Sequence, residues 1–271
     1  MNISRKMPEF NHISFVELLD GFAPISLEEM DSVKLMNRID TKYLTDEETL
    51  VKILREACAA GYMVLETDGL RINPYDSLYY DTDGLKMYYD HRNRKLVRQK
   101  VRTRSYLTSG MTFLEIKRKN NKGRTKKKRI SIPSSDFNNY SRNAEATSYL
   151  AQHSDFSAYE LNPVVETLFF RITLVNPDKT ERLTIDTCLN FKNHRTGLEA
   201  SLCDAVIIEL KQDGRAVSMM KNILLNLRVK PRRVSKYCVA VTMTDPGVRP
   251  GRFKQKVHII ENIINKKAIL L

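Results

Sequence analysis

The 271-residue chain is 42% apolar, which is enough to bury a substantial core in one large domain. Lys and Arg number 45 against 32 Asp and Glu, a formal net charge of +13, so we expect anionic partners such as nucleic acid, acidic lipid or phosphorylated small molecules. Four scattered cysteines and the lack of a ~20-residue apolar run argue against a disulfide framework and a transmembrane segment, and predict a soluble cytoplasmic protein.

The first 36 residues are predicted to form a helical preface. Within it, Ser26 and Glu29 make the S-x-x-E capping box that begins a helix. The segment "NRIDTKYL" follows as a strand. Thr45 and Glu48 then open the helix "TDEETLVKILREACAAG", and Gly61 ends it, because glycine readily adopts the left-handed backbone found at helix C-termini.

Short strands dominate the rest of the chain. We predict strands at 62–66, 76–81, 96–107, 111–119 and 126–132, helices within 134–152, strands in "VVETLFFRITLV", "ERLTIDTCL" and "AVIIELK", a helix in "AVSMMKNILLNL", and a final strand, "VSKYCVAVT". Residues 244–271 form a predicted linker and C-terminal helix. The fold class is α+β, with an eight-stranded antiparallel closed barrel at 37–243 and flanking helices.

Strand after strand carries one charged face. Side chains alternate along a strand, so "RQKVRTRSY" places Arg98, Lys100, Arg102 and Arg104 on one side. Like charges at neighbouring positions repel, so something anionic is expected opposite this face. The same alternation separates charged from aliphatic residues in four further strands, with these residues on the charged faces: Arg38, Asp40 and Lys42; Glu115, Lys117 and Lys119; Arg182 and Asp186; Glu209 and Lys211.

Two interpretations of the charged faces stay open. They are either solvated outer faces of a sandwich, or they line a water-filled lumen while the aliphatic faces pack outward against helices. The repeated bias towards cations favours the lumen, because Arg and Lys would contact successive phosphates of a polyanion. In such a lumen Glu209 and Glu115 are candidate ligands of a divalent metal, since hard cations bind carboxylate oxygens.

A set of segments in a fixed order resembles a known family. The segments are "RIDTKYL", "SLYYDTDGLKMYYDH", "VRQKVRTRSY", "TFLEIKRKNNKGRTKKKR", "LNPVVETLFFRITL", "ERLTIDTCLNF", "AVIIELK" and "RRVSKYCVAV". Together they resemble the VTC domain, the polyphosphate polymerase domain of the triphosphate tunnel metalloenzyme (CYTH-like) superfamily. The ExExK signature of the small triphosphatases is absent at the N-terminal strand, where "RIDTK" stands, and this favours the VTC branch.

The resemblance implies an eight-stranded antiparallel tunnel in which the γ-phosphate of ATP is transferred to a growing polyphosphate chain with Mn²⁺ or Mg²⁺ as cofactor. Positions that match the family's phosphate-binding residues are Lys42, Arg102, Arg104, Lys117 and Arg171, with Glu209 as the metal ligand and Glu115 as a second candidate. Further expected substrate contacts are Arg38, Lys100, Lys119, Lys128, Arg182, Lys211, Ser235 and Lys236. The register of Lys128 is open, because the adjacent lysines could equally occupy its position.

Several rival functions are left open. A metal-dependent inorganic or nucleoside triphosphatase would use the same cations with water as acceptor. A non-catalytic domain that binds polyphosphate or inositol phosphates and a basic RNA-binding protein are further alternatives. The run 117–129 holds nine basic residues and no acid, but no aromatic side chains for stacking bases, so ATP and polyphosphate are the expected partners and nucleic acid is not. A membrane partner protein is compatible with this interpretation, and the oligomeric state is not predicted.

Overall fold

The computed structural model describes residues 13–31, 38–202, 204–214 and 217–265. The helices are α1 (Ile13–Asp20), α2 (Leu27–Asp31), α3 (Glu47–Ala59), α4 (Lys86–Arg92), α5 (Ala144–His153), α6 (Met219–Asn226), α7 (Lys236–Thr244) and α8 (Arg252–Asn265). The strands are β1 (Ala23–Ile25), β2 (Arg38–Asp46), β3 (Met63–Leu65), β4 (Asn73–Asp81), β5 (Arg98–Tyr106), β6 (Thr112–Lys119), β7 (Thr125–Ile132), β8 (Asn162–Val175), β9 (Glu181–Asn193), β10 (Glu199–Leu202) and β11 (Ala205–Asp213). Among these helices, none combines the length and the apolar character needed to span a membrane.

Eight antiparallel strands form the body of the sheet in the order β2-β11-β9-β8-β4-β5-β6-β7. The charges of Lys117 on β6 and Glu209 on β11 interact, although four strands lie between them. In a flat sheet five strand spacings would separate them by about 24 Å. The sheet therefore curls into a half-barrel, and we call the space on its inner face the channel.

The predicted closed barrel is not observed, because the edge strands β2 and β7 are not paired with each other in the described residues. The segment after α6 occupies part of the β2 edge instead. Tyr43 forms a β-bridge with Pro231, and the Arg232 N–H donates to the Lys42 carbonyl oxygen at 2.6 Å. These contacts use backbone groups of β2 that closure with β7 would need.

The aliphatic faces of the strands point outward, as the alternation predicted. On one side, Val206 of β11 packs in a buried cluster with Leu54 of α3 and Leu224 of α6. On the other side, Val101 of β5 and Leu114 of β6 belong to a cluster covered by α5 and the short 3₁₀ turns that precede it. The charged faces are therefore left to line the channel.

Helix α7 fills one end of the half-barrel from within, where we predicted a final strand. That prediction is wrong. Residues 237–241 are at most 1% exposed, and they pack in one cluster with Leu44, Tyr79 and Ile207 of the sheet. A helix buried on every side needs apolar residues all round, so its sequence has no 3.6-residue periodicity, and its valines favour a strand instead.

Side-chain caps determine where two of the predicted helices begin. The Ser26 N–H donates to Glu29 Oε2 at 2.9 Å and the Glu29 N–H donates to Ser26 Oγ at 3.2 Å, which confirms the capping box. Helix α3 begins one residue later than predicted. Its cap is Asp46 rather than Thr45, because Asp46 Oδ1 accepts from the Thr49 N–H at 2.7 Å.

Other segments differ from the sequence prediction. The preface contains strand β1, which pairs in parallel with β3, and the predicted helical region 134–152 resolves into 3₁₀ turns followed by α5. Residues 1–12, 32–37 and 266–271 of the predicted elements lie outside the described residues. The division at residues 36 and 243 stays a prediction.

Helix α4 was not predicted, and it is held by a buried carboxylate rather than by an adjacent cap. Asp81 at the end of β4 accepts from the backbone N–H groups of Thr82, Met87 and Tyr88 at 2.8–2.9 Å. The Tyr237 hydroxyl of α7 donates to the same carboxylate at 2.6 Å. Asp81 thus joins β4, α4 and α7 at one end of the channel.

Candidate functional site

The strand register gathers the predicted site residues on the inner face of the sheet. Residues paired directly across antiparallel strands point to the same side. Lys42 of β2 lies opposite Glu209 of β11, and Lys100 of β5 lies opposite Lys117 of β6. Along the middle of this face the described residues include nine cations and three carboxylates: Lys42, Lys100, Arg102, Arg104, Lys117, Lys127, Arg171, Lys211 and Lys236, with Glu115, Asp186 and Glu209.

Three predicted substrate contacts lie nearer the ends of the channel. Arg38, at the start of β2, is largely exposed and forms an ion pair with Asp40 at 2.6 Å. Arg182 lies opposite Lys211 at the same end. Lys119 lies at the other end, opposite Arg98. The site is therefore densest in its middle, around Arg102, and its ends are more open to solvent.

Asp186 organises one wall of the channel, although the sequence pattern predicts no role for it. Its carboxylate accepts two hydrogen bonds from Arg171, from Nε at 2.6 Å and from Nη2 at 2.8 Å, and a third from Lys236 Nζ. Although burial opposes it, the charges of Arg171 and Lys236 hold the pKa of Asp186 well below its usual range. These three hydrogen bonds fix the side chains of Arg171 and Lys236, the first residue of α7, relative to each other. Its only sequence signal is its position on the charged face of β9.

A second buried group joins β5, β6 and β7. Glu115 accepts from Arg102 Nε at 2.8 Å and from Arg102 Nη2 at 2.5 Å, while its other oxygen is ion-paired with Lys127. Arg102 Nη1 also donates to the Tyr79 hydroxyl at 2.9 Å. Burial alone would raise the pKa of Tyr79, but Arg102 and the neighbouring cations lower it to about 8.

These contacts correct two expectations. Glu115 is not suited to hold a metal, because its side chain is 0% exposed and both oxygens are already bound by cations. Lys127, rather than Lys128, faces the channel. Lys127 lies opposite Lys117, whereas Lys128 lies opposite Ile116 on the outer face and is exposed. Side chains do alternate between the two faces of β7. Because three consecutive residues are lysines, the sequence could not show which of them faces the channel.

Among the three carboxylates in the middle of the channel, Glu209 is the one that remains accessible. Its side chain is 23% exposed, and it accepts from Lys42 Nζ at 2.7 Å, with Lys211 Nζ at 3.7 Å. Although burial opposes it, Lys42 and Lys211 hold the pKa of Glu209 well below its usual range. A charged, partly exposed carboxylate can exchange an ammonium partner for a divalent ion.

Three channel cations form no ion pair with any residue in the described ranges. Arg104 is buried and donates from Nε to Ser77 Oγ at 2.9 Å, and Lys100 donates to Ser235 Oγ at 2.7 Å. The charge of Arg102 and burial hold the pKa of Lys117 well below its usual range. Burial and the charge of Arg102 also lower the pKa of Arg104. Buried charges without a counter-charge are costly, so this part of the channel is suited to an anionic ligand.

Aromatic rings hold the arginines in place. Tyr75 and Phe169 stack with centroids 5.6 Å apart. The guanidinium carbon of Arg171 lies 4.9 Å from the centre of the Tyr75 ring and that of Arg104 lies 5.4 Å away, while Lys236 Nζ lies 4.3 Å from the centre of the Phe169 ring. The rings restrict the cations without neutralising them.

The N-terminus of α7 brings two further predicted residues to the channel. Ser235 caps the helix, because its Oγ accepts from the Cys238 N–H at 3.4 Å, and the same oxygen accepts from Lys100. Lys236 reaches Asp186. Ser235 and Lys236 therefore lie in the site, as predicted, but they come from a helix inserted into the channel and not from a strand of its wall.

Comparison with known proteins agrees with this geometry. The profile of the VTC domain matches residues 37–244. The chain belongs to the VTC domain family. No curated protein sequence gives a significant match. A solved structure from Hippeastrum, described as an adenylyl cyclase with a dominant triphosphatase activity, shares the fold with a TM-score of 0.51 and 13% identity, over 76% of this chain and 96% of that one. An adenylate cyclase-like structure from Vibrio parahaemolyticus aligns with a TM-score of 0.44 and 10% identity over 74% and 96% of the two chains.

Polyanion binding by this VTC domain should weaken above pH 8. Burial lowers the pKa values of Lys127, Lys211 and Lys236 to about 8 despite their carboxylate partners, so these ammonium groups are charged below pH 8 and lose their protons above it. Tyr79 gains negative charge over the same range. We expect the Kd for long-chain polyphosphate, whose interior charge is constant, to rise about tenfold by pH 9 for each lysine that must stay protonated. Titration calorimetry at constant ionic strength measures this, and an equal Kd at pH 7 and pH 9 would contradict it.

Lys127 and Lys128 provide a matched pair of variants in the VTC domain. We expect Lys127→Gln to weaken tripolyphosphate binding by about tenfold, because it removes a channel charge and leaves Glu115 with one fewer partner. Lys128→Gln should bind as the wild type does, since its side chain is on the outer face. Affinity measurements on both proteins test the register, and a larger loss for Lys128→Gln would show that it is misassigned.

Proposed function

We propose that the VTC domain is an ATP-dependent polyphosphate polymerase that transfers the γ-phosphate of ATP to a growing polyphosphate chain in the channel. The observation that carries this proposal is the uncompensated positive charge around Arg104, Lys117 and Lys100, on a face with nine cations and three carboxylates. A linear, highly charged anion matches such a face along its length. The family match is compatible with a phosphate-binding channel, and the polymerase reaction is what the resemblance to the VTC domain implies for it.

Phosphoryl transfer places limited demands on the protein. It requires the attacking and leaving oxygens to be held in line and the charge on the transferred group to be offset, and it requires no protein nucleophile. Arg104 can present its guanidinium edge to two phosphate oxygens, and Lys117 and Lys100 can each contact one. The Arg171–Asp186–Lys236 group is already fixed, so it can position the phosphates without reordering.

Glu209 is the residue that would hold the divalent ion. The described residues contain no cluster of three or more His, Cys, Asp or Glu side chains suited to a metal, so the protein would supply few ligands. This donor set fits Mg²⁺ or Mn²⁺, which bind through one or two carboxylates together with substrate phosphates and water. When bound, such an ion neutralises charge on the phosphate oxygens. Lys42 and Lys211, which now pair with Glu209, would then be released to contact phosphate.

A metal-dependent triphosphatase is the second candidate, and one observation favours it. The Hippeastrum structure with the same fold is described as having a dominant triphosphatase activity. Hydrolysis needs the same cations, with water in place of a terminal phosphate as the acceptor. A domain that binds polyphosphate or inositol phosphates without turnover would need the cations but not Glu209.

One experiment separates these functions. The pure protein is incubated with ATP and Mn²⁺, and the products are resolved on a gel that separates polyphosphate from free phosphate. A polymerase gives a ladder of polyphosphate, a triphosphatase gives only short phosphate products, and a binding domain leaves ATP intact. Duplex DNA added at equal phosphate concentration should compete poorly with ATP. Equal competition by DNA and polyphosphate would favour an open nucleic-acid surface instead.

A further inference from the structure

Three aromatic side chains lie on the inner face of the sheet at the end of the channel where β5 ends and β6 begins; we call Tyr75, Tyr106 and Phe113 the aromatic rim. Tyr75 of β4 lies directly opposite Tyr106 of β5. Phe113 of β6 lies directly opposite Arg104, so its ring is on the same face as the channel cations. The start of β5 and Lys119 are at the other end of the channel. The aromatic rim therefore continues the inner face beyond Arg104.

The rings of the aromatic rim are only partly buried, whereas Tyr79 and Phe169 in the channel are buried. The Tyr75 and Tyr106 rings are tilted by 59° with their centroids 4.9 Å apart. The Tyr106 and Phe113 rings meet at 83° with their centroids 5.6 Å apart. Tilted and edge-to-face contacts of this kind hold the rings in place without covering their faces. Aromatic surface is therefore left in contact with solvent inside a channel that is otherwise lined by charges.

The chemistry of the aromatic rim does not match a phosphate chain. Condensed phosphates present charged oxygens, and the face of an aromatic ring is itself electronegative, so a phosphate chain gains nothing from these rings. Tyr75 supports two channel arginines, but Phe113 contacts a different one, Arg129, whose guanidinium carbon lies 4.6 Å from the ring centre. Arg129 is exposed on the inner face of β7 and forms no ion pair within the described residues. Rings beside a free guanidinium suit a flat, uncharged part of a ligand.

The position of the aromatic rim matches the organic half of a nucleotide. The side chains of Phe113 and Arg104 begin about 5 Å apart across the strand pair, and Tyr106 lies two residues beyond Arg104, about 7 Å along β5. One ribose separates the base of a nucleotide from its α-phosphate, so the base of a triphosphate held at Arg104 can reach both rings. We infer that the aromatic rim binds the base of a nucleoside triphosphate, stacked on Tyr106 and flanked by Phe113 and Arg129. The inference rests on the proposed function only in taking ATP as the ligand.

The test compares ATP with tripolyphosphate, which has no base, on the full chain in EDTA and at fixed ionic strength. We expect Tyr106→Leu and Phe113→Leu each to raise the Kd for ATP about tenfold and to leave the Kd for tripolyphosphate unchanged, because only ATP has a base to stack. Tyr106→Phe keeps the ring and should bind both ligands as the wild type does. Tyr159→Leu, at a position that is 92% exposed between α5 and β8, is the control outside the channel and should change neither Kd. Melting temperatures confirm that each variant is folded.

A second measurement needs only the wild type. A nucleoside triphosphate that carries the fluorescent base 2-aminopurine should lose emission when it binds, because stacking on an aromatic ring quenches this base. Emission that stays constant on binding would overturn the inference.

Two results with the variants would also overturn it. One is an equal loss of affinity for ATP and tripolyphosphate in the Leu variants, which would make the rings supports for the channel cations only. The other is an unchanged Kd for ATP in both Leu variants. The proposed function fails separately, if ATP and Mn²⁺ give no polyphosphate ladder, because the binding measurements contain no metal and require no turnover.

Discussion

Glu209→Gln should reduce metal-dependent turnover of ATP by orders of magnitude while nucleotide binding persists. The amide keeps the shape of the side chain and can still accept from Lys42, but it removes the accessible carboxylate from the middle of the channel. A divalent ion held by Glu209 would lose this protein ligand, and the site would lose the charge compensation that such an ion would supply for phosphoryl transfer. Turnover and nucleotide affinity are followed separately while Mn²⁺ is titrated.

Glu209→Asp is the matched control for this experiment. It keeps the carboxylate but shortens its reach, so it should recover part of the turnover and shift the Mn²⁺ midpoint to higher concentration. If Glu209 is only the partner of Lys42 and Lys211, both variants change stability and leave the metal dependence alone. Wild-type turnover and an unchanged Mn²⁺ midpoint in Glu209→Gln would remove this residue from the mechanism.

Arg104→Gln should abolish turnover and raise the melting temperature of the free protein. Arg104 is buried among Arg102 and Arg171, donates to Ser77, and has no ion-pair partner in the described residues. Its removal relieves repulsion that only a bound anion would otherwise offset, so function and stability should change in opposite directions. Calorimetric melting of the wild type and the variant, with and without tripolyphosphate, measures both changes. As a positive control, tripolyphosphate at 100 times its Kd should stabilise the wild type by about 2.7 kcal/mol.

Arg102→Gln and Val101→Asp supply the contrast. Arg102→Gln removes the main partner of the fully buried Glu115 and should cost about 3–5 kcal/mol of stability. Val101→Asp places a charge in the outer core and should prevent folding. If Arg104→Gln destabilises the protein as these variants do, Arg104 is a structural residue and the channel assignment is wrong.

Strand alternation was the most reliable part of the sequence analysis. It assigned the faces of β2, β5, β6, β9 and β11 correctly, because a one-residue error would have placed aliphatic side chains in the channel and charges in the outer core. The same rule could not resolve Lys126 to Lys128, where every position is a lysine and both faces are exposed at a sheet edge. Alternation also could not predict that the barrel stays open, because the segment after α6 that occupies the β2 edge has no strand pattern.

Helices that depend on tertiary contacts were the main failures. The pattern of α7 is apolar on all sides because the half-barrel surrounds it, and α4 is anchored by Asp81 from the preceding strand. Neither feature is local in the sequence. Asp186 escaped assignment for a related reason, because its importance depends on Arg171 and Lys236, which lie 15 and 50 residues away.

The pairing of β2 with β11 has a consequence for how the protein is made. Lys42 and Glu209 are 167 residues apart in the sequence, and their strands, β2 and β11, pair with each other along their full length. At a synthesis rate of ~5–20 residues per second, β2 would wait roughly 10–30 s after leaving the ribosome before β11 follows. During that interval its edge is unpaired and open to chaperones or to misassembly. A chain released before β11 would lack both Glu209 and the strand that joins β2 to β9, so incomplete products should neither complete the channel nor hold the metal.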